Sequence, residues 1–392
     1  MNYRFKFRRF VLLSMIGIVF LLVLTHDLRG QESQGSAQPP PQAAAKNSKT
    51  PEIKDDKNQN IAALTREYVA LSKTPPQITE KVEIPNASFI REWYRVEWRM
   101  GDPFYLFVIR PKGVTAKTPV ILSLPSFPDD IDLFQNNSWC TFAVQGGYSV
   151  VGFVGNVTAH RTRYRLLKEW FVSEMPEALT STTHDVQLIL DYLSTRGDMD
   201  MDHVAMYGSG SGGSIAILAS VVDSRIKVLD LLAPWGDWKT WANGTVIIPE
   251  DERATYRKPE FLATVSGLDP VEWLPKIQAK SIRIEDIRGN KAMPDKAQEK
   301  LEAAAPDFAL IDQYGNGRAF LATQASISIL SWVKSQLGPT QQPVPLEKSA
   351  RIHFIPAMQP KTPENLPNFP VSQSAKTPTA SKESDKEKQN QR

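Results

Sequence analysis

Apolar residues recur along the chain in two rhythms. Arg91 to Arg99 and Phe104 to Arg110 alternate in polarity around Met100-Gly101-Asp102-Pro103, which predicts an antiparallel hairpin. Val120 to Leu124, Tyr148 to Val154, Val204 to Tyr207 and Ile226 to Leu232 are near-continuous apolar runs, the pattern of strands buried on both faces. Ile282 to Ile287 and Phe308 to Ile311 repeat it more weakly. Helical spacing marks Trp139 to Gln145, Leu179 to Leu193, Pro294 to Ala304 and Phe320 to Leu337. Strands that alternate with helices predict an α/β protein with a mostly parallel central sheet flanked by helices, the opening hairpin supplying an antiparallel edge.

That order spans about Glu83 to Leu337 and sets the expected domain at residues 61–337. Residues 31–60 are rich in Gln, Ser, Pro, Ala and Lys without apolar periodicity, so they are expected to form a disordered linker. Residues 338–392 are expected to be a low-complexity disordered tail, with Ile352-His353-Phe354-Ile355 its one apolar run. Residues 1–30 read as an export segment: Arg4, Lys6, Arg8 and Arg9 precede an apolar run from Phe10 to Leu24. The run is short for a spanning helix, and no Ala-x-Ala cleavage site follows it. Cleaved signal peptide and uncleaved anchor over residues 10–25 both stay open, with the anchor preferred. Either places the domain outside the cytoplasm, periplasmic or secreted, touching membrane only through this segment.

Composition adds exclusions. The chain has 392 residues, 41% hydrophobic and 23% charged, an ordinary globular balance. A net charge of +3 gives no argument for a nucleic-acid partner. With Cys140 the lone cysteine there is no internal disulfide and no cysteine-rich metal site. No nucleotide, zinc or calcium motif occurs, so no cofactor or metal is expected.

The chemistry-bearing stretch is Gly208-Ser209-Gly210-Ser211-Gly212-Gly213, between the Val204–Tyr207 strand and an apolar helix from Ile215. Strand, tight glycine turn and helix resemble the nucleophile elbow, G-x-S-x-G, of the α/β-hydrolase superfamily, and of its dienelactone-hydrolase and prolyl-oligopeptidase-like branches in particular. The resemblance implies the α/β-hydrolase fold. It also implies a nucleophile, an acid and a histidine in that chain order. Two alignments of the elbow compete. Starting at Gly208 puts Gly210, without a side chain, in the nucleophile slot. Starting at Ser209 makes Ser211 the nucleophile. The distance from Asp202-His203-Val204 favours the first.

The same resemblance places the acid shortly before Met293-Pro294, where Asn290 stands, and the histidine in Gly315-Asn316-Gly317-Arg318-Ala319-Phe320, where Arg318 stands. Asn290 is neutral, and Arg318 stays protonated and cannot act as a general base. Its guanidinium is expected to be held by a carboxylate or near the elbow. The oxyanion loop, Leu124-Pro125-Ser126-Phe127-Pro128, carries two prolines that donate no backbone N–H. Of the five histidines His160, after the fourth strand, is the candidate substitute base. Asp237 is the spare carboxylate, with a turn or helix cap as its alternative role. Residues 235–276, with Trp235, Trp238, Trp241 and Trp273, form a cap-like insertion. Its tryptophans are either the core of a helical excursion or the lining of an aromatic pocket.

These residues leave two functions. The first is an exported hydrolase-fold protein whose triad positions are replaced at Gly210, Asn290 and Arg318. It would be a pseudoenzyme that binds a small molecule or peptide in the old cleft or serves as an envelope scaffold. The second is an active serine esterase or peptidase using Ser211 with a base from outside the family pattern.

Overall fold

The computed structural model describes residues 64, 77–99, 102–127, 131–155, 167–326, 329–338 and 351–358. The expected export segment, the 31–60 linker and most of the 338–392 tail lie outside them, as does His160. Among the described residues no helix is long and apolar enough to cross a membrane.

Among the described residues ten strands form one sheet: β1 Gln77–Pro85, β2 Phe89–Glu97, β3 Phe104–Pro111, β4 Thr118–Leu124, β5 Ser149–Phe153, β6 Met199–Ser209, β7 Ile226–Leu232, β8 Ser281–Ile287, β9 Leu310–Tyr314 and β10 Ile352–Ile355. Their spatial order is β1-β2-β3-β5-β4-β6-β7-β8-β9-β10. The hairpin is present, β2 antiparallel to β3, and the pairs from β5 through β4 and β6 to β10 are all parallel. Helices α1 Asn137–Ala143, α2 Leu167–Ser194 and α3 Ser211–Val222 connect the first parallel strands. The 235–276 insertion holds α4 Trp238–Gly244, α5 Arg253–Tyr256, α6 Pro259–Ser266 and α7 Pro270–Trp273. Helices α8 Asp295–Ala304, α9 Gly317–Ser326 and α10 Ser331–Gln336 follow. The expected single helix from Phe320 to Leu337 is thus two helices.

Period-2 alternation splits each central strand between two cores. Val120, Leu122 and Leu124 of β4, with Val204 and Met206 of β6, pack into the larger cluster beside α2 and α3. Ile121, Ala205 and Tyr207 face the other side, against α1 and α10. Each fully buried Val or Leu contributes about 1.5–3 kcal/mol, so the continuous runs hold the sheet centre. The insertion's tryptophans are part of the larger core: Trp235, Trp238, Trp241 and Trp273 are all buried, and Trp235 lies 4.9 Å from Trp241 between ring centroids. They form the core of a helical excursion rather than an open aromatic pocket.

Two strands differ from the sequence expectation. β1 adds an edge beyond the hairpin. β10 is a correction to the tail: Ile352–Ile355 pairs parallel with β9 as the last strand of the sheet. Arg351 is buried and anchors its start, donating to the Pro306 carbonyl, and the Met358 carbonyl accepts from Asn316 just past its end.

Below the sheet's C-terminal edge lies a buried charge cluster. Arg283 on β8 holds Asp230 on β7 with two hydrogen bonds, 2.9 and 2.7 Å, and stands 3.0 Å from Glu285 and 3.7 Å from Asp312. One cation thus serves three carboxyls. Burial, then the charge of Asp230, pushes the Glu285 carboxyl up to about 8 against the pull of Arg283. A carboxyl raised in the folded state stabilises most below its unfolded value, and that contribution is lost as pH rises through the folded value. The melting temperature should therefore fall between about pH 4.5 and pH 8. Glu285→Gln, which cannot ionise, should flatten that fall; an unchanged slope in thermal melts would contradict the assignment.

Candidate functional site

The turn after β6 is built on one residue. Ser209 ends the strand, Ser211 begins α3, and Gly210 alone links them with φ 50° and ψ −118°. Its N–H donates to the Leu232 carbonyl, 2.9 Å away on β7, and its own carbonyl accepts from Ser214 and Trp235. The backbone is thus fixed from both sides in a conformation that L side chains rarely adopt. Close approach fixes the neighbouring glycines too: a Cβ at Gly208 would lie 2.5 Å from the Gly212 carbonyl oxygen.

In an elbow of this kind the nucleophile sits on the sharp, strained strand-to-helix turn. Here the strained position is Gly210, so the geometry matches the alignment that starts at Gly208. The space a nucleophile would use is occupied. A Cβ on Gly210 would fall onto Ser126 Oγ, 2.8 Å from Ser126 Cβ and 3.0 Å from Trp235 Nε1. Ser126 and Trp235 are both buried. Ser126 lies in the loop after β4 and Trp235 just after β7, and no local pattern shows that packing brings either against Gly210.

Ser211 is one residue further on, in the first turn of α3, and is fully buried. Its Oγ accepts a 2.8 Å hydrogen bond from the Phe127 N–H. That N–H lies in the loop after β4, which in the resembled fold lends one donor to the oxyanion hole. The donor is therefore engaged by a side chain of the elbow itself. Among the described residues no histidine hydrogen-bonds to Ser211. His203 Nδ1 lies 2.7 Å from Asp200, toward the start of β6, and His353 Nδ1 lies 3.2 Å from Asp312. His184 is buried within α2.

Asn290 and Arg318, where the resemblance puts the acid and the histidine, sit past the C-terminal ends of β8 and β9, the second and third strands from β6. Asn290 is half-buried, and its Oδ1 accepts from the Ala292 N–H at 3.0 Å, closing its own turn. Arg318, in the first turn of α9, is exposed and forms no ion pair among the described residues. Against the expectation that its guanidinium is held by a carboxylate or near the elbow, it has among the described residues neither an ion pair nor a side-chain hydrogen bond.

Asp237 is buried in the left-handed region, φ 49° and ψ 63°, just before α4. It occupies a cap position without capping: Asp269 accepts from the N–H groups of both Asp237 and Trp238. The Asp237 carboxylate instead pairs with Lys300 Nζ at 2.6 Å.

No protein-family model matches the sequence, and no curated protein matches it. Solved structures do resemble the fold. Acetyl xylan esterase 1 from Thermoanaerobacterium sp. JW/SL YS485 superposes with a TM-score of 0.53 at 13% identity, over 69% of this chain and 92% of that one. The acetyl xylan esterase from Paenibacillus sp. R4 gives 0.53 at 17% identity, over 73% and 96%. Identity at that level speaks for architecture alone. With the parallel sheet, flanking helices and glycine elbow in place, the chain adopts the α/β-hydrolase fold.

Proposed function

We propose that this protein is a non-catalytic member of its fold, exported to the cell envelope, where it serves as a scaffold or binding protein. The observation that carries the reading is the elbow. Gly210 holds the strained position, and Ser126 and Trp235 fill the room above it. A serine hydrolase needs a hydroxyl there, a base to accept its proton and free donors for the oxyanion. Gly210 supplies no hydroxyl, and the Phe127 donor is engaged. Asn290 and Arg318, set where the resemblance puts acid and base, lack the chemistry of either. Export rests on the basic n-region and the apolar run from Phe10 to Leu24.

The serine-hydrolase alternative through Ser211 would need its hydroxyl released from Phe127 and from full burial. Steady-state hydrolysis of an activated short-chain ester separates the two. The full-length protein should turn it over at the background rate, and Ser211→Ala should leave that rate unchanged. A saturable rate well above background that Ser211→Ala removes would refute the non-catalytic reading.

A further inference from the structure

The two edges of the sheet are finished differently. β1 displays Glu80, Lys81 and Glu83 between Ile78 and Ile84, all exposed, and ends at Pro85. Charges and proline on an edge are what discourages another strand from adding. β10 carries Ile352 and Phe354 at 41% and 62% exposure, and no described strand lies beyond it.

The hydrogen-bonding groups of β10 are arranged symmetrically. The Arg351 carbonyl accepts from Ile311 and the Ile355 carbonyl accepts from Gly315, both toward β9. Backbone groups alternate in direction along a strand, so residues 351, 353 and 355 bond inward. Ile352 and Phe354 therefore point their N–H and C=O groups outward, one on each side of His353. The strand is also held at both ends, by Arg351 and by the Asn316–Met358 contact, so the edge is a fixed template.

We propose that β10 is a self-association edge: two copies of this chain pair antiparallel through it, about a twofold axis at His353. In that arrangement Ile352 of each copy lies opposite Phe354 of the other. Each pair exchanges two backbone hydrogen bonds and sets an apolar side chain against an apolar side chain. The edge is thus complementary to itself, which is what a twofold interface requires. Four hydrogen bonds and two apolar pairs make a small interface, so the dimer is weak and concentration-dependent.

The arrangement fixes distances a cross-link can read. The two copies of residue 353 form the non-hydrogen-bonded pair on the axis, with Cα atoms about 4.5 Å apart, inside the range a disulfide spans. The two copies of residue 355 lie about 14 Å apart along the strands. Cys140, the native cysteine, is buried. Full-length protein carrying His353→Cys should form disulfide-linked dimers on mild oxidation, and Ile355→Cys should not. Adding Phe354→Lys to the His353→Cys protein should slow cross-linking about tenfold, the effect of spoiling two cross-strand pairs. In sedimentation of protein without introduced cysteines, apparent mass should rise with concentration, and Phe354→Lys should abolish the rise. Equal cross-linking at 353 and 355, or mass independent of concentration, would overturn the proposal. So would indifference to Phe354→Lys, whether because another segment or another protein covers the edge.

Discussion

Gly210→Ser, the substitution that restores the elbow's hydroxyl, should destabilise the protein by about 3 kcal/mol and restore no activity. Two independent costs add. The backbone at position 210 has φ 50° and ψ −118°, which strains any residue with a Cβ by roughly 1–3 kcal/mol. The new Cβ also meets the Ser126 side chain and Trp235 Nε1 at 3.0 Å, and overpacking of this kind costs about 1–3 kcal/mol. The costs can be separated. Ser126→Gly removes the nearest obstruction, so the double variant should recover the steric part and keep the backbone part. Urea denaturation of the wild type, both single variants and the double variant measures the coupling. A Gly210→Ser protein as stable as the wild type would mean that the turn relaxes more freely than its hydrogen bonds to Leu232 and Trp235 imply.

Arg283→Met should cost about 3–5 kcal/mol, because it leaves a group of buried carboxyls without their cation. Asp230 is fully buried and takes both of its hydrogen bonds from Arg283. Glu285 depends on the same guanidinium for compensating charge, and Asp312 lies near both it and the His353 ring. Burial already raises all three carboxyls, and Arg283 opposes it at each, joined by the Tyr314 hydroxyl at Glu285 and by His353 at Asp312. Without Arg283 they must be neutral to stay buried. The penalty should therefore be larger at pH 8, where the unfolded chain ionises fully, than at pH 5. Denaturant midpoints at the two values test the sign; a loss below about 1 kcal/mol, or a larger loss at pH 5, would show that the cluster is not held by this residue.

The fold was legible wherever burial on both faces produced an unbroken apolar run. Val120 to Leu124 and Ile226 to Leu232 could be read directly, since a central parallel strand leaves no polar face. β1 and β10 were not legible for the complementary reason. Gln77–Pro85 is mostly exposed and interrupts its apolar residues with Glu80, Lys81 and Glu83, and Ile352–Ile355 is four residues inside a polar stretch. What makes them strands is a neighbour's hydrogen-bonding edge, which the local pattern does not contain. At the site, the glycine cluster announced a strand-to-helix turn but left Gly210 and Ser211 as rival nucleophile positions. Backbone torsion distinguishes them, placing the strain at Gly210 and Ser211 inside the helix. The Ser126 and Trp235 contacts that fill the elbow arise from tertiary packing, and no motif marks them.

Labelling of the full-length protein with a fluorophosphonate probe, beside a known serine hydrolase as positive control, tests whether a nucleophilic serine is available. An unactivated hydroxyl is a poor nucleophile, and Ser211 is buried with its Oγ hydrogen-bonded to Phe127. The predicted result is no labelling of the wild type. Stoichiometric labelling that Ser211→Ala abolishes would contradict it and make Ser211 a catalytic residue.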